Sequence, residues 1–295
     1  MLMIVILYAV LASTFILAKS ALMYARPCFL IGFRMIFAGL LLLGFEALYQ
    51  WRPLLRGLRH WKLFFKTSLF HIYLAFILEF WALQYMSSLK TTLIYSITPF
   101  VAALLSYLLL NERLTRGNLL GICIGIGGLM PVLFKSTQDT ALCSSAVLSV
   151  ALPDIALLIS VVSASYAWFL VKRLMNEGYS LAYINGITML TGGILSMITA
   201  GIVEGFHQPV TAWMPFLGWV TALILVANIL VYNLYGFLLR RYSITFLTFS
   251  GFLCPSFGTI YEWLFMGGTI TWHYPVSLLF VTLGLYIFYA QELTA

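Results

Sequence analysis

Between Thr91 and Gly117 the chain reads TTLIYSITPFVAALLSYLLLNERLTRG, about twenty apolar residues interrupted by Pro99 and closed by a short charged turn. A helix in water rejects proline there, because proline removes a backbone hydrogen bond and its ring clashes one turn back. A membrane helix accepts it where a neighbouring helix or a polar cavity re-satisfies the freed carbonyl. Pro255 interrupts a second stretch, TFLTFSGFLCPSFGTIYEWLFMGG. Both prolines fall near the middle of their apolar spans. Interrupted spans in corresponding positions of two halves are the best sequence pointer to a transporter binding site.

Only 8% of the 295 residues are charged and 62% are hydrophobic, where soluble proteins carry about 25% charge. The chain therefore reads as an all-α integral membrane protein. Its net charge of +7 does not point to nucleic acid, because the basic residues sit in short turns between apolar spans and act as topology signals. Cys28, Cys123, Cys143 and Cys254 form no C-x-x-C and have no histidine close by in the sequence. They read as small apolar fillers, with no metal site and no cofactor. The start of the chain is apolar from Met1 without a basic region before it, so it reads as a first span.

A span needs about twenty apolar residues at roughly 1.5 Å each. The rule places ten, at 2–19, 28–49, 64–86, 89–110, 117–134, 154–171, 181–203, 214–239, 243–266 and 273–291. Eleven basic residues fall on one side (Arg52, Arg56, Arg59, Lys62, Lys66, Arg113, Arg116, Lys172, Arg173, Arg240 and Arg241) against Lys19, Arg26, Lys90 and Lys135 on the other. That asymmetry puts both termini in the cytoplasm. The longest polar connection, 135–153, separates 1–134 from 154–295. Five spans in each half make the second half inverted relative to the first. Pro99 and Pro255 are 156 positions apart, and the same offset aligns Thr115 with Thr271. Inverted repeats with a site at their interface are a recurring plan among secondary transporters.

Ionisable groups within spans are expensive and face a partner or a cavity. Arg34 and Glu79 each lie roughly 6–7 Å to the outer side of their span midpoints. Two readings fit: a structural ion pair between helices two and three, or a central cavity in which Glu79 attracts a cation and Arg34 holds a carboxylate. Glu262, roughly 11 Å above its midpoint, reads as a rim carboxylate or a substrate contact. His71, among Leu, Phe and Tyr, reads as hydrogen-bonded to a neighbouring helix, with a proton carrier as the alternative. Asn228, Tyr232, Tyr235 and Gly236 share a helix face, either as a cavity wall or as interhelical bonding. Tyr8, Phe15 and Lys19 share a face of span one, with Ser13 beside it. Trp81, Tyr95 and Trp168 are deep aromatics able to stack a ring or hold a sulfonium or ammonium. The Gly121, Gly125 and Gly128 face of span five reads as close helix packing.

These stretches resemble the drug/metabolite transporter superfamily, EamA type, over nearly the whole chain. Ala12-Ser13-Thr14-Phe15 followed by Lys19 is similar to its first span, although Leu11, Ala12 and Thr14 stand where the family has Trp, Gly and Asn. Pro27, Arg34, Ala38 and Gly39 match its second span, Ser96 to Arg116 its proline-containing fourth span and charged turn, and Gly121 and Gly128 its fifth. Ser163 with Lys172-Arg173-Leu174 matches the opening of its second half. Pro255 and Trp263 to Phe265 match its ninth span, where Gly-Gly replaces the usual Gly-Glu and Glu262 is an addition. The second half also resembles the S-adenosylmethionine transporter branch of intracellular bacteria. The resemblance implies ten helices as two inverted EamA repeats in the cytoplasmic (inner) membrane, moving a small organic metabolite.

The resulting expectation is a secondary transporter working by alternating access around Pro99 and Pro255. Its substrate would be S-adenosylmethionine or another amino-acid-like or cationic metabolite, driven by a coupling ion or by exchange; oligomeric state stays open. There is no G-x-x-x-x-G-K-[ST] for ATP hydrolysis. The alternative, an intramembrane enzyme acting on a lipid or isoprenoid, finds no H-E-x-x-H, no G-x-S-x-G and no acidic loop cluster. A channel would want a charged ring or filter loop, and neither is evident.

Overall fold

The computed structural model describes residues 2–49, 59–86, 88–110, 152–205, 207–242, 244–251 and 253–266, with positions 115, 117, 119–121, 123–125, 127–128, 272, 275–276, 279–280, 282–284 and 286–287. The described residues are helical apart from turns and one isolated bridge, Ala25 to Val210. In chain order the helices are α1 (Leu2–Leu22), α2 (Pro27–Tyr49), α3 (Trp61–Tyr85), α4 (Ser88–Tyr95), α5 (Thr98–Leu110), α6 (Leu152–Asn176), α7 (Leu181–Glu204), α8 (Trp213–Leu239), α9 (Ile244–Ser250) and α10 (Leu253–Met266). Among the described residues, six of these are long and apolar enough to cross a membrane: α1, α2, α3, α6, α7 and α8. Large apolar side chains line their outer faces, as at Leu40, Leu41, Phe45 and Leu48 of α2. Such a surface suits lipid and not water.

The sequence predicts single spans running through Pro99 and Pro255. Instead each span divides. The backbone turns at Ser96 and Ile97 between α4 and α5, and at Gly251 between α9 and α10. Each proline then falls in the first turn of the second piece, where a missing N–H costs little because those donors have no intrahelical partner. Each carbonyl that the prolines release finds another donor. The Thr98 hydroxyl donates to the Tyr95 carbonyl, and the Cys254 N–H donates to the Gly251 carbonyl at 2.9 Å. The described positions of spans five and ten are helical. They approach closely: a Cβ added at Gly284 would stand 2.7 Å from the Gly121 carbonyl and 2.9 Å from the Gly125 nitrogen.

The centre of the fold is the contact of α2 with α7. A Cβ on Gly39 would sit 2.7 Å from the Leu190 nitrogen, and one on Gly193 would sit 2.8 Å from the Ile36 nitrogen. Gly32 meets Met197 and Gly39 meets Gly186, so the two helices run antiparallel with backbones nearly touching. Small residues at a seven-residue spacing permit that approach. Arg34, Met35 and Ala38 of α2 are buried beside this contact.

Three long helices contain π-turns: Leu69–Leu74 in α3, Ala200–Glu204 in α7 and Ile224–Val231 in α8. A π-turn widens the helix and displaces carbonyls from their usual partners, and such turns are frequent at functional sites. In α3 two serines of α6 receive them. Ser163 Oγ donates to the Phe70 carbonyl and Ser160 Oγ to the Ala75 carbonyl, each at 2.7 Å.

A polar cavity between the helices

Helices α1, α2, α3, α4, α6 and α8, with the two broken-helix turns, enclose a cavity of about 160 Å³. Arg34 enters from α2. Its side chain is buried, and its Nε and Nη2 have no hydrogen-bond partner among the described residues. The guanidinium lies over the rings of Phe76 at 4.7 Å and Phe80 at 5.0 Å. Glu79 of α3 faces the same cavity and accepts a 2.7 Å hydrogen bond from the Tyr95 hydroxyl. That hydroxyl also lies 3.2 Å from Ser160 Oγ. Arg34 and Glu79 do not form an ion pair with each other, so the expected structural pair between helices two and three is not drawn. Two opposite charges instead share one low-dielectric space.

Beside them stands an aromatic wall, joined to the Arg34 side by Phe76, whose ring stacks on Tyr232 at 6.4 Å. Trp168 stacks on Tyr235 with centroids 4.1 Å apart and is 5.7 Å from Tyr232. His71, on the π-turn of α3, presents its ring to Trp168 at 4.7 Å and to Tyr232 at 5.1 Å. Both His71 nitrogens are buried without a hydrogen-bond partner among the described residues, so the expected bond to a neighbouring helix is not found there. Tyr8 lines the cavity and donates to the Leu247 carbonyl. Phe15 packs against Tyr95 at 5.3 Å.

Of the residues expected at the site, Tyr8, Phe15, Arg34, Glu79, Tyr95, Trp168 and Tyr232 line the cavity. Six others lie elsewhere. Ser13 turns back onto its own helix and donates to the Val10 carbonyl at 2.7 Å. Lys19 donates to the carbonyls of Leu83 and Met86 at 2.6 and 2.8 Å, where a cation complements the end of α3. Trp81 packs on Tyr85 at 5.2 Å. Pro99 and Pro255 shape the two turns, while Tyr95, Thr98, Gly251 and Cys254 beside them reach the cavity. Asn228 is buried against sulfur, its Nδ2 lying 3.1 Å from Met35 Sδ and 3.6 Å from Met189 Sδ. The π-turn of α8 breaks the α-helical register that would have aligned Asn228 with Tyr232, and Ala227 faces the cavity in its place. Glu262 belongs to α10, but its side chain lies outside the described residues, as does Cys143.

The lining has an internal order that the prolines announce. Tyr8 and Ala164, His71 and Ala227, Ala75 and Val231, and Phe76 and Tyr232 are each 156 positions apart. So are Glu79 and Tyr235, Tyr95 and Gly251, and Thr98 and Cys254. The π-turns of α3 and α8 nearly coincide under the same shift. His71, Phe76 and Phe80 are among the lining residues that the sequence reading placed otherwise or left out of the site, and Ser160 supports it through the Tyr95 hydroxyl. The sequence signal for His71 was its ionisable ring within an apolar span.

Comparison with known proteins agrees with this geometry. The EamA-like transporter family model matches residues 1–134 and again 151–290. A protein of Chlamydia trachomatis serovar L2, named S-adenosylmethionine/S-adenosylhomocysteine transporter, is 33% identical over 294 residues, covering 95% of this chain and 86% of that one. A protein of the same name in Chlamydia muridarum is 33% identical over 289 residues, covering 95% and 88%. A solved crystal structure superposes with a TM-score of 0.71 at 17% identity, over 100% of this chain and 97% of the other; that likeness concerns the fold alone. A cavity holding buried ionisable groups inside apolar helices, two family matches in tandem and relatives of this identity lead to one conclusion: this chain belongs to the EamA-like transporter family.

Proposed function

We propose that the protein is a secondary transporter that carries S-adenosylmethionine and S-adenosylhomocysteine across the cytoplasmic (inner) membrane. The observation that carries the reading is the placement of Arg34 and Glu79, both buried, on one cavity without pairing to each other. A membrane protein retains such charges where a ligand completes them. S-adenosylmethionine has a carboxylate for Arg34 and cationic centres for Glu79 and the aromatic wall. The printed names of the relatives support the same choice.

The architecture that fits is ten spans in two inverted halves, 1–134 and 154–295, joined by 135–153, with both termini in the cytoplasm. The tandem family match, the paired helix breaks, the 156-residue offset in the lining and the antiparallel α2–α7 crossing support it. The halves rock about the cavity by alternating access, with exchange as the driving step. The test is counterflow: liposomes holding the purified protein are loaded with unlabelled S-adenosylmethionine and offered the labelled compound. Saturable uptake, lowered at least tenfold by Glu79→Gln, is expected. Absence of uptake of both S-adenosylmethionine and S-adenosylhomocysteine by folded protein overturns the substrate assignment.

A further inference from the structure

We infer that His71 reads the polar edge of a planar nitrogen heterocycle, a purine, held against Trp168 and Tyr232; the inference builds on the substrate class proposed above. The imidazole is 2% exposed. Its two nitrogens have no hydrogen-bond partner among the described residues, and it lines the cavity. A neutral imidazole offers one donor and one acceptor, and leaving both unmade in a buried site is costly. A histidine kept only for packing would be replaced without loss by Phe, which many neighbouring positions already use.

The surroundings hold that ring in place. His71 sits within the π-turn Leu69–Leu74, and Ser163 and Ser160 bind the carbonyls on either side of it, at Phe70 and Ala75. Its neighbours are flat: Trp168 meets it edge-on at 72°, and Tyr232 is tilted by 46°. Stacking on aromatic faces is tolerant of which base is bound, whereas a hydrogen bond to the ring edge selects it. The matched position in the second half is Ala227, which adds no polar group. His71 supplies a paired donor and acceptor on this wall, beside the Tyr232 and Tyr235 hydroxyls, while Arg34 and Glu79 hold the amino-acid end.

The test uses equilibrium binding of tritiated adenosine to the purified full-length protein, with S-methylmethionine as the ring-free competitor against labelled S-adenosylmethionine. Wild type is expected to bind adenosine saturably. His71→Phe is expected to weaken adenosine binding at least tenfold and leave S-methylmethionine competition within about twofold. His71→Gln, which keeps a donor and an acceptor, recovers most of the loss and serves as the test variant if His71→Phe does not fold. Lack of adenosine binding by wild type overturns the inference, as does wild-type affinity in His71→Phe, or an equal loss for both compounds that Gln does not recover. Counterflow of S-adenosylmethionine without adenosine binding discards this subsite and keeps the transport reading. Adenosine binding without counterflow does the reverse.

Discussion

A guanidinium that is 1% exposed, with two nitrogens lacking a partner among the described residues, is an expensive side chain to keep inside a membrane. The rings of Phe76 and Phe80 offset part of that cost through cation–π attraction. They do nothing for its hydrogen-bonding capacity. Glu79 is better served, by one hydrogen bond from Tyr95. Charges held at a cost to stability are expected to betray themselves when removed. Arg34→Met keeps the aromatic contact through sulfur and loses the charge. It should retain or raise the thermal melting point of the purified protein while lowering S-adenosylmethionine exchange at least tenfold. Glu79→Gln should behave alike, and the double variant should fold and not exchange. A double variant that folds and exchanges at the wild-type rate removes these residues from the binding site. Tyr95→Phe, which removes the Glu79 donor and the contact with Ser160, should fall between wild type and Glu79→Gln in the same assay.

At the scale of the element, the α2–α7 crossing makes a prediction that separates packing from propensity. Ala is a better helix former than Gly, so Gly→Ala in open space should stabilise slightly or do nothing. Gly44 of α2 has no atom within 4 Å of an added Cβ, whereas at Gly39 that Cβ meets α7 backbone at 2.7 Å. Backbone cannot swing aside, so Gly39→Ala forces the helices apart at a cost of about 1–3 kcal/mol. Melting of Gly39→Ala several degrees below Gly44→Ala is the expected result; equal melting points would mean that the crossing is not tight. Gly39 was legible in the sequence only through resemblance to a family pattern, and its partner Gly186 was not, since nothing local says which helices touch. The long apolar spans were legible because each needs one kind of residue throughout. The two prolines showed where the chain breaks but not how: they lie in the first turns of new helices, with Thr98 and Cys254 occupying the freed carbonyls. The π-turns were invisible, because no residue type demands them. They decide that Asn228 faces sulfur and Ala227 the cavity, so a face drawn with ideal α-helical spacing failed there while Arg34, Glu79 and Trp168 reached the cavity.

Across the whole molecule, the two halves are tied at both ends of the cavity. At one end Lys90 pairs with Asp154 at 2.8 Å, and the Glu204 carboxylate accepts the Cys28 and Phe29 N–H groups at 2.7 and 3.0 Å. The loops there join as well, with the Thr211 N–H donating to the Tyr24 carbonyl at 2.8 Å. At the other end Ser180 donates to Glu46 at 2.6 Å and the His60 ring meets the Tyr179 hydroxyl at 2.9 Å. Under the proposed alternating access the halves cannot keep both sets at once, because a cavity sealed at both ends exchanges nothing. Most of these ties are single hydrogen bonds, each worth about 0.5–1.5 kcal/mol net, which suits contacts that the proposed cycle would break. Holding one set shut should therefore arrest transport while leaving binding intact. Lys90→Cys with Asp154→Cys, in a chain whose own four cysteines are replaced, can be bridged by a short bis-methanethiosulfonate, since the reach of a long lysine exceeds that of a direct disulfide. The bridged protein should still bind S-adenosylmethionine within about threefold of the unbridged affinity, lose counterflow, and regain it on reduction. Counterflow at the unbridged rate, with the bridge shown intact by mass spectrometry, would exclude separation of α4 from α6 as a step in the cycle and move the hinge to the turns at Ser96 and Gly251.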